Sequence, residues 1–155
     1  MLQQLSSELL HIIDTYSEKF SLLSEEVLAD KPNPEKWSKK EVIGHLIDSA
    51  HTNLRRFVVG QYQQHTKIIY DQDFWVTANQ YQHMQKDELI TLWALLNKQI
   101  TAVWEQMPEQ YYLNVVDTGK DSVSERTLIW LAEDYIKHLQ HHLNQIFPGS
   151  FEVQY

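Results

Sequence analysis

The sequence predicts an all-α protein, a four-helix bundle formed as one domain over residues 1–155. Three observations carry that expectation. Apolar residues recur every three or four positions through four long segments. Only 4 Gly and 4 Pro occur in 155 residues, which favours long helices over a turn-rich β architecture. Two Ser-x-x-Glu patterns stand where helices should begin. A content of 43% hydrophobic and 22% charged residues is that of a chain able to bury one core.

The first helix is expected from Leu2 to about Leu23, with Leu2, Leu5, Leu9, Ile12, Ile13, Tyr16 and Phe20 at helical spacing. A loop with two prolines, Pro32 and Pro34, leads to Trp37. Ser38 and Glu41 then read as a reciprocal capping box opening the second helix, which should run to roughly Gln61. The stretch from Tyr62 to Gln85 reads as irregular, a length that in a compact domain is usually functional or partly structured. Its aromatics, Tyr70, Phe74 and Trp75, are read as packing across the bundle end, with ligand or partner recognition as the alternative. The third helix should span Lys86 to Met107 and stop before Pro108. A polar connection through Asp117–Asp121 leads to Ser122 and Glu125, a second capping pattern, from which the fourth helix is expected to run to Phe147. Pro148-Gly149 stops it.

The net charge is -8 and the basic residues are scattered. Such a surface suits neither a phosphate backbone nor an anionic membrane, so neither nucleic acid nor membrane is expected as a partner. No apolar run reaches spanning length, and the N-terminus lacks the apolar stretch of a signal peptide. A soluble cytoplasmic protein is expected. The absence of cysteine removes disulfides, thiolate ligands and a cysteine nucleophile, leaving imidazole and carboxylate as the strong metal ligands.

His138 and His142 lie at i and i+4 on the fourth helix, one turn apart on one face. At about 100° per residue, the apolar positions Leu128, Leu131, Ala132, Tyr135, Leu139, Leu143 and Ile146 fall within roughly 120° of arc. His142 falls inside that stripe and His138 at its edge, while His141 falls outside, toward water. On the second helix the stripe of Val42, Ile43, Leu46, Ala50, Leu54 and Phe57 leaves His45 at an edge shared with Ser49, Thr52 and Arg56. A polar edge beside a buried stripe is how a helix lines a cleft. Three imidazoles from two helices, with an open position, are the donor set of a catalytic metal site. Chance alone gives roughly 0.4 i,i+4 histidine pairs at this composition, so spacing by itself leaves hydrogen-bonded interfacial histidines as the commoner explanation. His11, His51, His65 and His83 have no partner at metal spacing and are read as surface residues.

Trp37-Ser38 followed by Glu41-Val42-Ile43-Gly44-His45-Leu46-Ile47-Asp48-Ser49, and later Asp134-Tyr135 followed by His138 and His141-His142-Leu143-Asn144-Gln145-Ile146, resemble the DinB/YfiT-like superfamily of metal-dependent hydrolases and transferases. The resemblance covers essentially the whole chain. It implies an up-down-down-up four-helix bundle, often dimeric, holding nickel or zinc through three histidines that match His45, His138 and His142. Some relatives transfer a low-molecular-weight thiol such as bacillithiol or mycothiol to a small-molecule substrate, some use such a thiol for isomerisation, and many have no known substrate. Because this chain lacks cysteine, a thiol would have to come from a cosubstrate.

Asp48 and Asp134, one turn from His45 and His138, are candidate acceptors behind the ligand imidazoles, with solvated or capping charges as the alternative. Ser49, Thr52, Arg56 and Tyr135 are candidate pocket residues. Arg56 could anchor a carboxylate or serve as a surface ion-pair partner. No residue stands out as a dedicated general base, which weighs against hydrolysis relative to thiol transfer. The alternative to an enzyme is a bundle that binds a small molecule or acts in stress response without catalysis.

Overall fold

The computed structural model describes residues 1–153. Helix α1 (Leu2–Ser21) forms where predicted and buries Leu2, Leu9, Ile12, Ile13, Tyr16 and Phe20. Its last carbonyls need donors from outside the helix. The Lys86 ammonium supplies them, donating to Ser21 O and Leu23 O, both at 3.0 Å. A five-residue helix, α2 (Glu25–Ala29), follows, with the Ser24 hydroxyl accepting from Val27 N–H. It is too short to show a period, so the sequence read it as loop. Glu25 accepts from the buried Lys40 ammonium at 2.6 Å and from Lys86 N–H at 2.6 Å.

Helix α3 (Lys39–Tyr62) opens on the predicted capping box: Ser38 Oγ accepts from Glu41 N–H at 3.1 Å, and Glu41 Oε2 from Ser38 N–H at 2.8 Å. Every residue from Val42 to Ala50 is buried, because neighbours cover α3 on several sides. The stretch read as irregular contains α4 (Gln72–Ala78), capped by Asp71 Oδ1, and a 3-10 turn at Tyr81–His83. The expectation that its aromatics pack across the bundle end fails for Phe74, which is 70% exposed, while Val76 is the buried anchor of α4. Helix α5 (Lys86–Gln106) matches its prediction and ends before Pro108.

The start of the last helix differs from expectation. Residues 122–125 do not open it; a two-stranded antiparallel hairpin, β1 (Val115–Asp117) with β2 (Glu125–Thr127), intervenes. Asp117 Oδ1 accepts from Gly119 N–H at 2.9 Å and Ser124 N–H at 2.8 Å, which closes the turn. A Cβ on Gly119 would lie 1.7 Å from Ser122 O, so this tight turn requires glycine. Residues 65–68 add to the hairpin through backbone bonds to Val115 and Asp117. Helix α6 (Leu128–Ile146) therefore begins at Thr127, whose hydroxyl accepts from Trp130 N–H. The Ser-x-x-Glu pattern was present without its helix because strand pairing claimed those backbone groups.

Side-chain contacts orient the four long helices. Ser6 meets Thr101 while Phe20 meets Trp93, so α1 and α5 are antiparallel. Glu8 meets Gln140 while Tyr16 meets Phe147, so α1 and α6 are parallel. Phe57 against Trp104 fits α3 running parallel to α5. Gly60 against Leu128, with His45 against His142, makes α3 and α6 antiparallel. The result is the up-down-down-up four-helix bundle. Its interior centres on Trp93 and Trp104, each edge-on to a phenylalanine at 5.2 Å between ring centroids.

Gly44, immediately before His45, is where α3 approaches the 3-10 turn. A Cβ there would lie 2.2 Å from the Tyr81 ring, close to that side chain's own base rather than its flexible end. Gly44→Ala should therefore destabilise the protein by about 1–3 kcal/mol through overpacking, despite roughly 1 kcal/mol gained in helix propensity. Urea unfolding of the metal-free protein checks this, and parental or higher stability contradicts it.

Candidate metal centre

The antiparallel crossing of α3 and α6 brings His45 against His138 and His142. One nitrogen from each of the three lies within 4.8 Å of the other two. His45 Nε2 and His138 Nε2 stand 3.2 Å apart. Two ligands of a tetrahedral ion at bond lengths of 2.0–2.1 Å are separated by about 3.3 Å, so the observed spacing fits one divalent cation. His141 is half-buried beside His142 and does not belong to the converging group. His11, His51, His65 and His83 are exposed; His65 pairs with Glu125 at the hairpin.

One support from α6 itself and one from the loop before α3 hold the rings. Gln145, one turn after His142, places Oε1 3.0 Å from His142 Nδ1. That contact makes Nδ1 the protonated nitrogen and leaves the Nε2 lone pair for a ligand bond. Trp37 lies against His45 with ring centroids 5.0 Å apart and planes at 32°. His45 Nδ1 is buried without a hydrogen-bond partner. Such an orphaned donor costs stability, and it is the atom that carries the proton when Nε2 is engaged. Nothing singled out Gln145 from the sequence except its i+3 spacing from His142, and Trp37 had entered only as part of a motif.

Electrostatics make this a site for neutral imidazoles. Burial lowers the His45 pKa to about 3, with the charge of His142 adding to it. His138 is held well below its ordinary value by burial and by the neighbouring imidazoles and Arg56. His142 is lowered by burial, against the opposing pull of Gln145. An imidazole kept unprotonated near neutral pH presents its lone pair without first losing a proton.

The residues expected around the ligands take several roles. Asp48 is fully buried and makes no hydrogen bond to His45; its Oδ1 accepts from the Tyr81 hydroxyl at 2.6 Å and Asn79 Nδ2 at 3.2 Å, and its Oδ2 is unpartnered. It thereby ties the segment after α4 to the His45 turn. Burial raises its pKa to about 6, more than the Tyr81 hydrogen bond lowers it. Asp134 is half-buried; burial lowers the Arg56 pKa, and Tyr70 and the charge of Asp134 only partly oppose that. The Arg56 guanidinium clasps Ile68 O through Nε and Nη2 at 3.1 and 2.8 Å, so it anchors a backbone strap rather than lying at the surface. Ser49 and Thr52 are buried on the same α3 edge, and Asn53 Nδ2 donates to Ser49. Tyr135 points into the core, its hydroxyl donating to Asn97 Oδ1 at 2.6 Å. Trp37 and Gln145, which touch His45 and His142, also form part of the wall of a cavity of about 680 Å³.

Comparison with known proteins adds a family and a fold. The family model of the DinB superfamily matches residues 8–146. No curated protein matches the chain in sequence. YfiT from Bacillus subtilis, described as a probable metal-dependent hydrolase with an unusual four-helix bundle topology, superposes with a TM-score of 0.78 at 18% identity, covering 92% of this chain and 83% of that one. A mycothiol-dependent maleylpyruvate isomerase superposes at 0.72 with 13% identity, covering 99% of this chain and 62% of that one. A histidine-to-alanine mutant of that isomerase gives 0.73 at 13% identity, with coverage of 92% and 60%. This chain thus spans about three fifths of the isomerase, and at these identities the likeness is one of fold.

The pKa shifts generate two expectations. Three imidazoles of ordinary pKa would lose about fifty-fold in zinc affinity between pH 7.5 and 6.0 through proton competition. With all three pKa values lowered, the loss here should stay within a few-fold, as competition titrations with a chromophoric chelator can show. For Asp48 the sign is opposite. Its folded-state pKa of about 6 lies above the unfolded value, so its stabilising effect is complete below about pH 4 and lost as the pH rises through 6. The stability of Asp48→Asn relative to the parent should therefore rise by about 1–3 kcal/mol from pH 4 to pH 8. A flat difference in urea unfolding across that range contradicts the assignment.

Proposed function

This chain belongs to the DinB superfamily, and on that footing we propose that it is a divalent-metal-dependent enzyme using a low-molecular-weight thiol to modify a small molecule. The observation that carries the reading is the convergence of three neutral imidazoles, His45, His138 and His142, at one point between α3 and α6. Nickel or zinc suits this donor set. A neutral three-imidazole site leaves such a cation its full charge, which lowers the pKa of a thiol or water that reaches it and supplies a nucleophile near neutral pH.

The chain's own residues set the conditions for that chemistry. His45, His138 and His142 bind, Gln145 fixes the tautomer of His142, and the Trp37 indole covers one face of His45. The chain has no cysteine, so the sulfur belongs to a cosubstrate. In an S-transferase-like reaction the thiol loses its proton to solvent and its sulfur bonds to an electrophilic carbon. The leaving group departs with the bonding pair. Thiol transfer is favoured over a hydrolase-like reaction because a thiol gives a nucleophile without the dedicated base that water activation requires. The substrate side is a small molecule, and the cytoplasm, where such thiols are kept reduced, is the compartment that suits it.

Metal analysis after loading with zinc or nickel should give about one ion per chain. His142→Ala should abolish tight binding, and Gln145→Ala should weaken it by about 10–100-fold, the usual cost of losing an outer partner of a ligand imidazole. Unchanged affinity in His142→Ala would sink the metal assignment. Incubating the loaded protein with bacillithiol or mycothiol and an alkyl halide or epoxide should give a thioether by mass spectrometry. Stoichiometric metal with no thiol-dependent product leaves a non-catalytic metal-binding bundle and overturns the enzymatic reading.

A further inference from the structure

The cavity beside the metal centre carries charges of both signs that have been left unpaired. Its volume, about 680 Å³, falls within the usual range for small-molecule sites. Three segments build it: the loop between α2 and α3, the first turn of α3, and the N-terminal turn of α4, with Gln145 closing one side from α6. Lys36 and Lys39 stand on the wall with Asp30, Glu35 and Asp73, around an apolar patch of Trp37 and Val42. Among the described residues no ion pair joins any of these five charges. Their chain neighbours behave differently: Lys31 pairs with Glu41 at 2.9 Å and Lys40 with Glu25 at 2.6 Å. Opposite charges on one concave wall, unpaired in a segment whose other charges do pair, present a ready complement to a ligand that carries both signs itself.

From this arrangement we propose that the cavity binds a small amphoteric molecule, one bearing an ammonium and a carboxylate in the manner of an amino acid or short peptide. Its carboxylate pairs with Lys36 and Lys39, its ammonium with the carboxylates of Asp30, Glu35 and Asp73, and its uncharged body lies on Trp37 and Val42. Trp37 and Gln145 are common to the cavity wall and to the imidazoles, so a molecule seated there is one side chain away from His45 and His142. This inference rests on the reading of that centre as the reactive site and specifies it: the thiol cosubstrate or its acceptor is amphoteric.

One dipeptide scaffold in four charge states tests it: alanyl-phenylalanine, its N-acetyl acid, its C-terminal amide, and the doubly capped neutral form. Each is titrated at low salt into the full-length, metal-free protein, following the indole N–H resonance of Trp37, assigned by its loss in Trp37→Phe. The free dipeptide should bind at least fivefold more tightly than either singly charged form, and the neutral form most weakly. Lys36→Gln with Lys39→Gln should remove its advantage over the amide, and Asp30→Asn, Glu35→Gln and Asp73→Asn together its advantage over the N-acetyl acid. Unmoved distant resonances will show that these surface variants remain folded. Equal binding by the neutral form, tightest binding by a singly charged form, or no shift of the Trp37 signal by any probe overturns the proposal. Because the protein is metal-free throughout, the outcome is independent of whether the metal assignment above stands.

Discussion

The antiparallel seam between α3 and α6 is the constraint on which the rest of the structure turns. Three imidazoles meet there, and a buried polar group without full hydrogen bonding costs about 1–3 kcal/mol. Helices carrying such groups face one another only if the remaining interfaces hold them together. The holding comes from apolar burial on the other faces: Phe20, Phe57, Trp93 and Trp104 are fully buried, each contributing roughly 1.5–3 kcal/mol. The lowered imidazole pKa values belong to the same balance. Burial at the seam keeps the rings neutral, and neutral rings can stand close together without repulsion.

The helix directions also set what each connection must do. In an up-down-down-up bundle α3 and α5 are parallel, so residues 63–85 must travel the length of the bundle, whereas α5 and α6 are antiparallel and residues 107–127 join them across one end. Both connections brace α3. Arg56 grips the first at Ile68 O, Asp48 grips it again through Tyr81 and Asn79, and Asn114 in the second donates to Gly60 O. Pairing of residues 65–68 with the hairpin ties the two connections to each other. The helix bearing His45 is therefore held at three points along its length by two segments with little periodicity of their own.

That division decides how much could be read from the sequence. The four long helices were legible because each buries one stripe, and the Ser38–Glu41 box because its partners lie within one turn. Helix phase separated His142 from His141 for the same local reason. The order in which the helices pack entered only through family resemblance, since periodicity does not say which stripe meets which. Helices α2 and α4 escaped because five and seven residues are too few to establish a period. The Ser122–Glu125 pattern misled because its meaning depends on residues 115–117, which take those backbone groups into a hairpin. Trp37 and Gln145 escaped for a related reason: what they do is fixed by their contacts with His45 and His142, and those exist only once the bundle is assembled.

The directions of the helices carry a consequence for how the protein is made. Helix α1 packs on α5 and α6, through contacts such as Ser6 with Thr101 and Glu8 with Gln140, separated by 95 and 132 positions in the chain. Synthesis at about 5–20 residues per second leaves the finished α1 waiting roughly 4–17 seconds for the end of α5. Throughout that interval Leu9, Ile12, Ile13, Tyr16 and Phe20 have no native surface to cover them. Helix α1 leaves the ribosome before the helices it packs on and is among the last able to complete its packing. Its newborn form is thus an exposed amphipathic helix, the kind of surface that chaperones bind.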